Sequence, residues 1–142
     1  MSKQPNLVAV YGTLRNNMCA NDMMKECTYL GQDFVRGRLF AVATFPGLVI
    51  EGFEDEQTVV DVYELPDDAD MRAKIMSSLD AYEGYRGPDN KDTNLYNRLE
   101  TELLNTGTMC QVYEWNEDVD GVPPIPNNDY TNFAFAQTAW GE

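Results

Sequence analysis

Short runs of strand length, punctuated by glycine- and proline-containing turns, leave this chain little to build except a sheet. Leu7-Val-Ala-Val-Tyr11 is apolar and ends at Gly12, the pattern of a buried strand closed by a turn. Thr28 to Gly31 opens a β-rich stretch. Phe34 to Phe40 alternates imperfectly, with Gly37 marking a bulge or a close backbone contact. Pro46-Gly47 turns the chain before Leu48-Val-Ile50, and Thr58 to Leu65 is strand-like in its β-branched content. Leu95 to Leu104 and Met109 to Trp115 flank Asn105-Thr-Gly107, a hairpin signal.

Two segments depart from this rhythm. Met18 to Cys27 has helical spacing, with Met23, Met24 and Cys27 on one face. Pro66-Asp67-Asp68 announces a helix over Asp70 to Tyr82 that buries Met71, Ile75, Met76 and Leu79 and ends at a Gly84 cap. There is no βαβ alternation and no glycine-rich phosphate loop. The expected fold is therefore α+β, a small mixed or antiparallel β-barrel with flanking helices. Residues 1–116 form the expected domain. Beyond Asn116 the pattern dissolves, and Val122-Pro-Pro-Ile-Pro126 excludes a regular helix or central strand. Residues 117–142 are expected to be a tail docked through Tyr130, Phe133, Phe135 and Trp140.

The chemistry is bounded by an absence. None of the 142 residues is histidine, which removes Ser-His-Asp and Cys-His catalysis and histidine-bound metals together. Acid–base work falls to Asp, Glu, Lys, Tyr or a terminus. Three widely spaced cysteines, Cys19, Cys27 and Cys110, offer no C-x-x-C pair and are expected as reduced thiols. No metal or cofactor is expected. A formal charge of −14 disfavours phosphate-backbone binding, so no nucleic-acid partner is expected. No apolar run approaches a membrane span, and Leu7 to Val10 is too short for a signal peptide, so a cytoplasmic protein is expected. The oligomeric state is not legible.

Three pieces could carry chemistry. At Tyr11-Gly12-Thr13-Leu14-Arg15 a strand ends in a glycine turn, where successive N–H groups can cradle a carboxylate or an oxyanion. A plain turn with a solvated arginine is the competing reading. Glu83 falls in the last turn of the second helix, at the negative end of its dipole and between Tyr82 and Tyr85. Both surroundings favour the protonated acid, although an idle exposed glutamate has the same sequence. Tyr96 and Arg98 open a strand; Tyr96 could cross a cleft and Arg98 could hold a carboxylate, or both could be ordinary strand residues. Tyr63 and Tyr113 are expected in the core.

Together these pieces resemble the γ-glutamylcyclotransferase-like family, including its AIG2-like and γ-glutamylamine cyclotransferase branches. The resemblance rests on VAVYGTLR at Val8–Arg15, GRLF at Gly37–Phe40, FPGLV at Phe45–Val49 and VVDVYEL at Val59–Leu65. It continues through LDAYEGY at Leu79–Tyr85, LYNR at Leu95–Arg98 and CQVYEW at Cys110–Trp115. Asp61 stands where the family often has glycine, and Asn16 to Asn21 replaces a basic segment. The resemblance implies a small barrel and a cofactor-independent enzyme that cyclises a γ-glutamyl amine or peptide to 5-oxoproline and releases the amine. It puts the glutamyl portion at Tyr11, Gly12, Thr13 and Leu14 and makes Glu83 the acid–base residue. Arg15, Tyr96 and Arg98 are further candidates for binding substrate. The alternative is a non-catalytic binding or interaction module on the same fold.

Overall fold

A computed structural model of the protein describes residues 6–12, 14–15, 21–42 and 45–130. Its main sheet has five strands: β1 (Leu7–Val10), β2 (Thr28–Arg36), β5 (Gln57–Glu64), β6 (Tyr96–Glu102) and β7 (Met109–Trp115), in the order β2-β5-β1-β7-β6. A two-stranded sheet pairs β3 (Arg38–Ala41) with β4 (Pro46–Val49). β1 runs antiparallel to β5, from Leu7 opposite Glu64 to Val10 opposite Asp61, and parallel to β7 through Val8 and Gln111. The outer strands curl toward each other at one end. The Leu104 N–H donates to the Phe34 carbonyl at 2.9 Å and the Asn105 N–H to the Asp33 carboxylate at 2.9 Å. No ladder joins these edges, so the expected barrel is a curled sheet that stays open.

The strand patterns translate directly into burial. β1 and β5 lie inside the sheet, and Val8, Ala9, Val10, Val60, Val62 and Tyr63 are all buried there. Gly37 divides the Phe34–Phe40 run into two strands. It adopts φ +133, and a Cβ there would lie 2.8 Å from Leu48 Cδ1 and 2.9 Å from the Val49 carbonyl oxygen, so only glycine fits.

Among the described residues there is one α-helix, α1 (Ala69–Glu83). Asp68 caps its start, its carboxylate accepting from the N–H groups of Asp70 at 2.9 Å and Met71 at 3.1 Å, an arrangement worth about 1 kcal/mol. Ile75, Met76 and Leu79 are buried on one face and join the core cluster that the strand residues form. The helix expected over Met18 to Cys27 is, where described, a single 3-10 turn at Asn21–Met24. Its apolar spacing reports packing all the same, since Met24 is fully buried and Met23 and Cys27 lie against the core. Residues 117–130 run across β3: the N–H groups of Ala41 and Ile125 donate to the carbonyls of Pro123 and Leu39, and Ile125 and Tyr130 are buried. Phe133, Phe135, Trp140 and Cys19 lie outside the described residues. Cys27 and Cys110 are free thiols. No described helix is long and apolar enough to cross a membrane.

Candidate active site

The end of β1 delivers Tyr11 and Gly12 to one end of the sheet. Tyr11 is buried, and its hydroxyl donates to the Tyr113 carbonyl at 2.7 Å and accepts from the Leu48 N–H at 3.3 Å. A turn follows, closed by the Arg15 N–H on the Gly12 carbonyl at 2.9 Å. Gly12 packs on Pro46 so closely that a Cβ would meet Pro46 Cγ at 2.9 Å. Pro46 is held in turn by Tyr96, whose hydroxyl donates to its carbonyl at 2.6 Å. Gly12→Ala is therefore expected to displace Pro46, loosen the Tyr96 bond and cost about 1–3 kcal/mol. A chemical melt checks the cost, and an unchanged midpoint would refute this contact.

α1 arrives from the other side. Gly84 ends it in the left-handed region, at φ 70 and ψ 33, with the Tyr85 N–H donating to the Asp80 carbonyl at 2.8 Å. The Leu95 N–H then donates to the Gly84 carbonyl at 3.1 Å, and a Cβ on Gly84 would lie 2.9 Å from Leu95 Cβ. The helix terminus is thus clamped to the segment leading into β6, and its last side chain, Glu83, faces the Tyr11–Gly12 end of β1.

Between these walls lies a cavity of about 220 Å³. Tyr11, Gly12 and Leu14 form one side and Glu83, Tyr96 and Tyr113 another, with Phe45, Pro46, Tyr82 and Leu95 adding apolar and aromatic surface. Glu83 is the one charged residue among the described lining residues. Its carboxyl has no hydrogen-bond partner among the described residues. Burial, which penalises the charged form, raises it to about 7. Burial foremost, then the charge of Glu83, raises the Tyr96 hydroxyl, and both also raise Tyr11 and Tyr113. All three remain neutral, with their protons committed to the Tyr113 carbonyl, the Pro46 carbonyl and the Asp80 carboxylate. They fix the shape of the walls around Glu83, the one acid among the described lining residues.

Five of the residues singled out in the sequence, Tyr11, Gly12, Leu14, Glu83 and Tyr96, therefore meet in one cavity. Thr13 lies outside the described residues. The two arginines are elsewhere. Arg15 is buried, with Nε 3.3 Å from Asp61 and Nη1 2.9 Å from Asp129. Arg98 Nη1 donates to both oxygens of Asp80, at 2.9 and 2.8 Å, and its guanidinium sits 5.1 Å above the Tyr85 ring.

Sequence reasoning missed Tyr113 as a site residue. It is a core residue and a cavity wall at once, paired across the hairpin with Arg98, and its hydroxyl donates to Asp80 at 2.6 Å. Pro46 was missed too, because a Pro-Gly pair reads as a turn; here it begins β4. Among the described residues no group of three or more Cys, Asp or Glu is placed to hold a metal ion.

A family model described as gamma-glutamyl cyclotransferase, AIG2-like, matches residues 8–132. The chain belongs to this family. Among solved structures it is similar to an uncharacterised protein from Pyrococcus horikoshii, at 19% identity and TM-score 0.66, covering 96% of this chain and 98% of that one. It is also similar to YkqA from Bacillus subtilis, at 18% identity and TM-score 0.69, where it covers 96% of its own length and 43% of the other's. An AIG2-like protein from Mus musculus shares 18% identity at TM-score 0.53, over 79% of this chain and 78% of that one. At these identities the likeness is one of fold. No match is found among curated proteins.

Proposed function

We propose that the protein is a γ-glutamylcyclotransferase acting on a γ-glutamyl amine or peptide, with Glu83 as general base and then general acid. The observation that carries this reading is the lone carboxyl of Glu83 on an otherwise apolar and aromatic cavity, held near neutrality by burial. The reaction needs no protein nucleophile. Glu83 takes a proton from the substrate's α-ammonium, and the freed amine attacks the γ-carbonyl of the same molecule. A C–N bond closes the five-membered ring, and the carbonyl oxygen becomes an oxyanion. When that oxyanion collapses, the bond to the departing nitrogen breaks as Glu83 returns the proton to it. The ring nitrogen, left with a positive charge by its attack, gives up its second proton, which the released amine takes away as an ammonium. The products are 5-oxoproline and a free amine.

Curling the substrate is the main task, since well-oriented intramolecular attack reaches effective molarities of about 10⁵ M or more. The tyrosine-walled cavity is suited to hold the chain curled. Backbone N–H groups of the loop after Gly12 are our candidates for binding the α-carboxylate or the oxyanion.

The test is 5-oxoproline release from a panel of γ-glutamyl amines and dipeptides. Only ionised Glu83 can accept the proton, so kcat/KM should rise with pH and level off above about 7. An acid limb at the ordinary glutamate value of about 4.3 would contradict the role given to burial. A ligand that binds without turnover on any member of the panel would favour a binding module on this fold.

A further inference from the structure

A second concavity, of about 800 Å³, runs along α1 and is bounded by the Tyr85–Pro88 turn and by Arg98 of β6. Its charge is the reverse of the molecule's. The chain carries 24 acidic and 10 basic side chains, yet Arg72, Arg86 and Arg98 line this groove against one acid, Asp80. Asp80 is itself matched by Arg98 at 2.8 Å. Arg72 Nη1 donates to the backbone carbonyls of Asp67 at 3.1 Å and Pro66 at 3.5 Å, which orient the guanidinium without neutralising it. Arg86 is exposed, and its guanidinium has no hydrogen bond or ion pair among the described residues. An ion pair that merely braces the fold accounts for Arg98 alone. It leaves two uncompensated arginines facing the same space.

We propose that this groove binds a small, multiply charged oxyanion, a phosphate or a polycarboxylate. Guanidinium forks match both groups through paired charge-assisted hydrogen bonds. Two of the three forks are already oriented by protein oxygens, which lowers the ordering cost of binding, and the third is free to close over the ligand. The small side chains of Ala73 and Ser77 leave the space open. The molecule's general negative field is screened within about 8 Å at physiological ionic strength, so the local arginines decide the outcome. The groove also touches the cavity's wall, since Arg98 holds Asp80 and Asp80 accepts the Tyr113 hydroxyl.

The experiment titrates the isotope-labelled full chain with pyrophosphate and, separately, with citrate, following backbone amide shifts by NMR. Saturable shifts are expected at Ala73, Ser77 and Arg86, and the anion that saturates at lower concentration identifies the ligand class. Arg86→Ala and Arg72→Ala should each weaken binding about tenfold, the scale of one hydrogen-bonded charge. Arg36→Ala, at an exposed arginine bonded to the Glu54 carbonyl, should leave binding unchanged. Arg86 is exposed and its guanidinium makes no hydrogen bond or ion pair among the described residues, so its variant is expected to keep the fold even if the Arg72 variant does not. Absence of saturation with both anions overturns the proposal. So does full binding by Arg86→Ala, or an equal loss in Arg36→Ala. None of these readouts depends on turnover, so this site and the cyclotransferase reading stand or fall separately.

Discussion

Glu83→Gln is expected to slow 5-oxoproline formation by about 10²–10⁴-fold, the usual worth of a positioned acid–base group, and to make the protein more stable at pH 8. Both effects have one cause. Glutamine fills the same space and cannot carry a proton between the two nitrogens. It also carries no charge to bury. Glu83 has its folded-state pKa raised from 4.5 to about 7, so between those values the folded state holds more protons than the unfolded one. Stability contributed by the protonated group is therefore full below 4.5 and lost as pH climbs through 7. The shift corresponds to roughly 3 kcal/mol at most, or up to roughly 10 °C in Tm for a domain of this size. Melts of both proteins should coincide at pH 4 and separate at pH 8. Near-parental turnover in the variant would place the base elsewhere, and coincident melts at pH 8 would mean a solvated Glu83.

Arg15→Ala is expected to cost about 3–5 kcal/mol, the scale for stranding one partner of a buried ion pair. Arg15 and Asp61 are each 2% exposed, and Tyr29 adds its hydroxyl to Asp61 at 3.3 Å. Removing the guanidinium takes from Asp61, inside the sheet, and from Asp129 the arginine that both face. The double change Arg15→Met with Asp61→Asn should recover part of the loss, because position 61, the more deeply buried of the two carboxylates, then carries no charge inside the sheet. Urea unfolding distinguishes these outcomes. A single variant within about 0.5 kcal/mol of the parent would show that the pair is not formed.

The same pair shows where the sequence stops being legible. Asp61 reads as an anomaly in an apolar strand. Its partner lies 46 residues earlier in the chain, and nothing local announces it. Arg15 for the same reason reads either as a substrate ligand or as a solvated arginine of a plain turn, whereas its guanidinium is engaged by protein carboxylates. Periodicity fared better, because it reports burial directly: α1, its Asp68 and Gly84 ends and the β6–β7 hairpin all follow from residue type at short range. The Met18–Cys27 pattern misled because apolar spacing marks a buried face without fixing the backbone that presents it. Glu83 was visible through its helix-end position. What dominates its chemistry, the closure of tyrosine walls from β1, β6 and β7, is a product of tertiary packing.

The place of β1 between β5 and β7 has a kinetic consequence. Tyr11 finds the carbonyl of Tyr113 across 102 residues of chain, whereas β6 pairs with β7 across a short turn and β2 with β5 over a few dozen residues. Contacts of such long range slow folding, since their loop must close before any pairing rewards it. On a ribosome, Leu7–Val10 emerges before the other strands of the sheet and cannot be flanked on both sides until β7 has been made. The apolar strand that carries the cavity loop is then the last enclosed, and the most exposed to misassociation while the chain is unfinished.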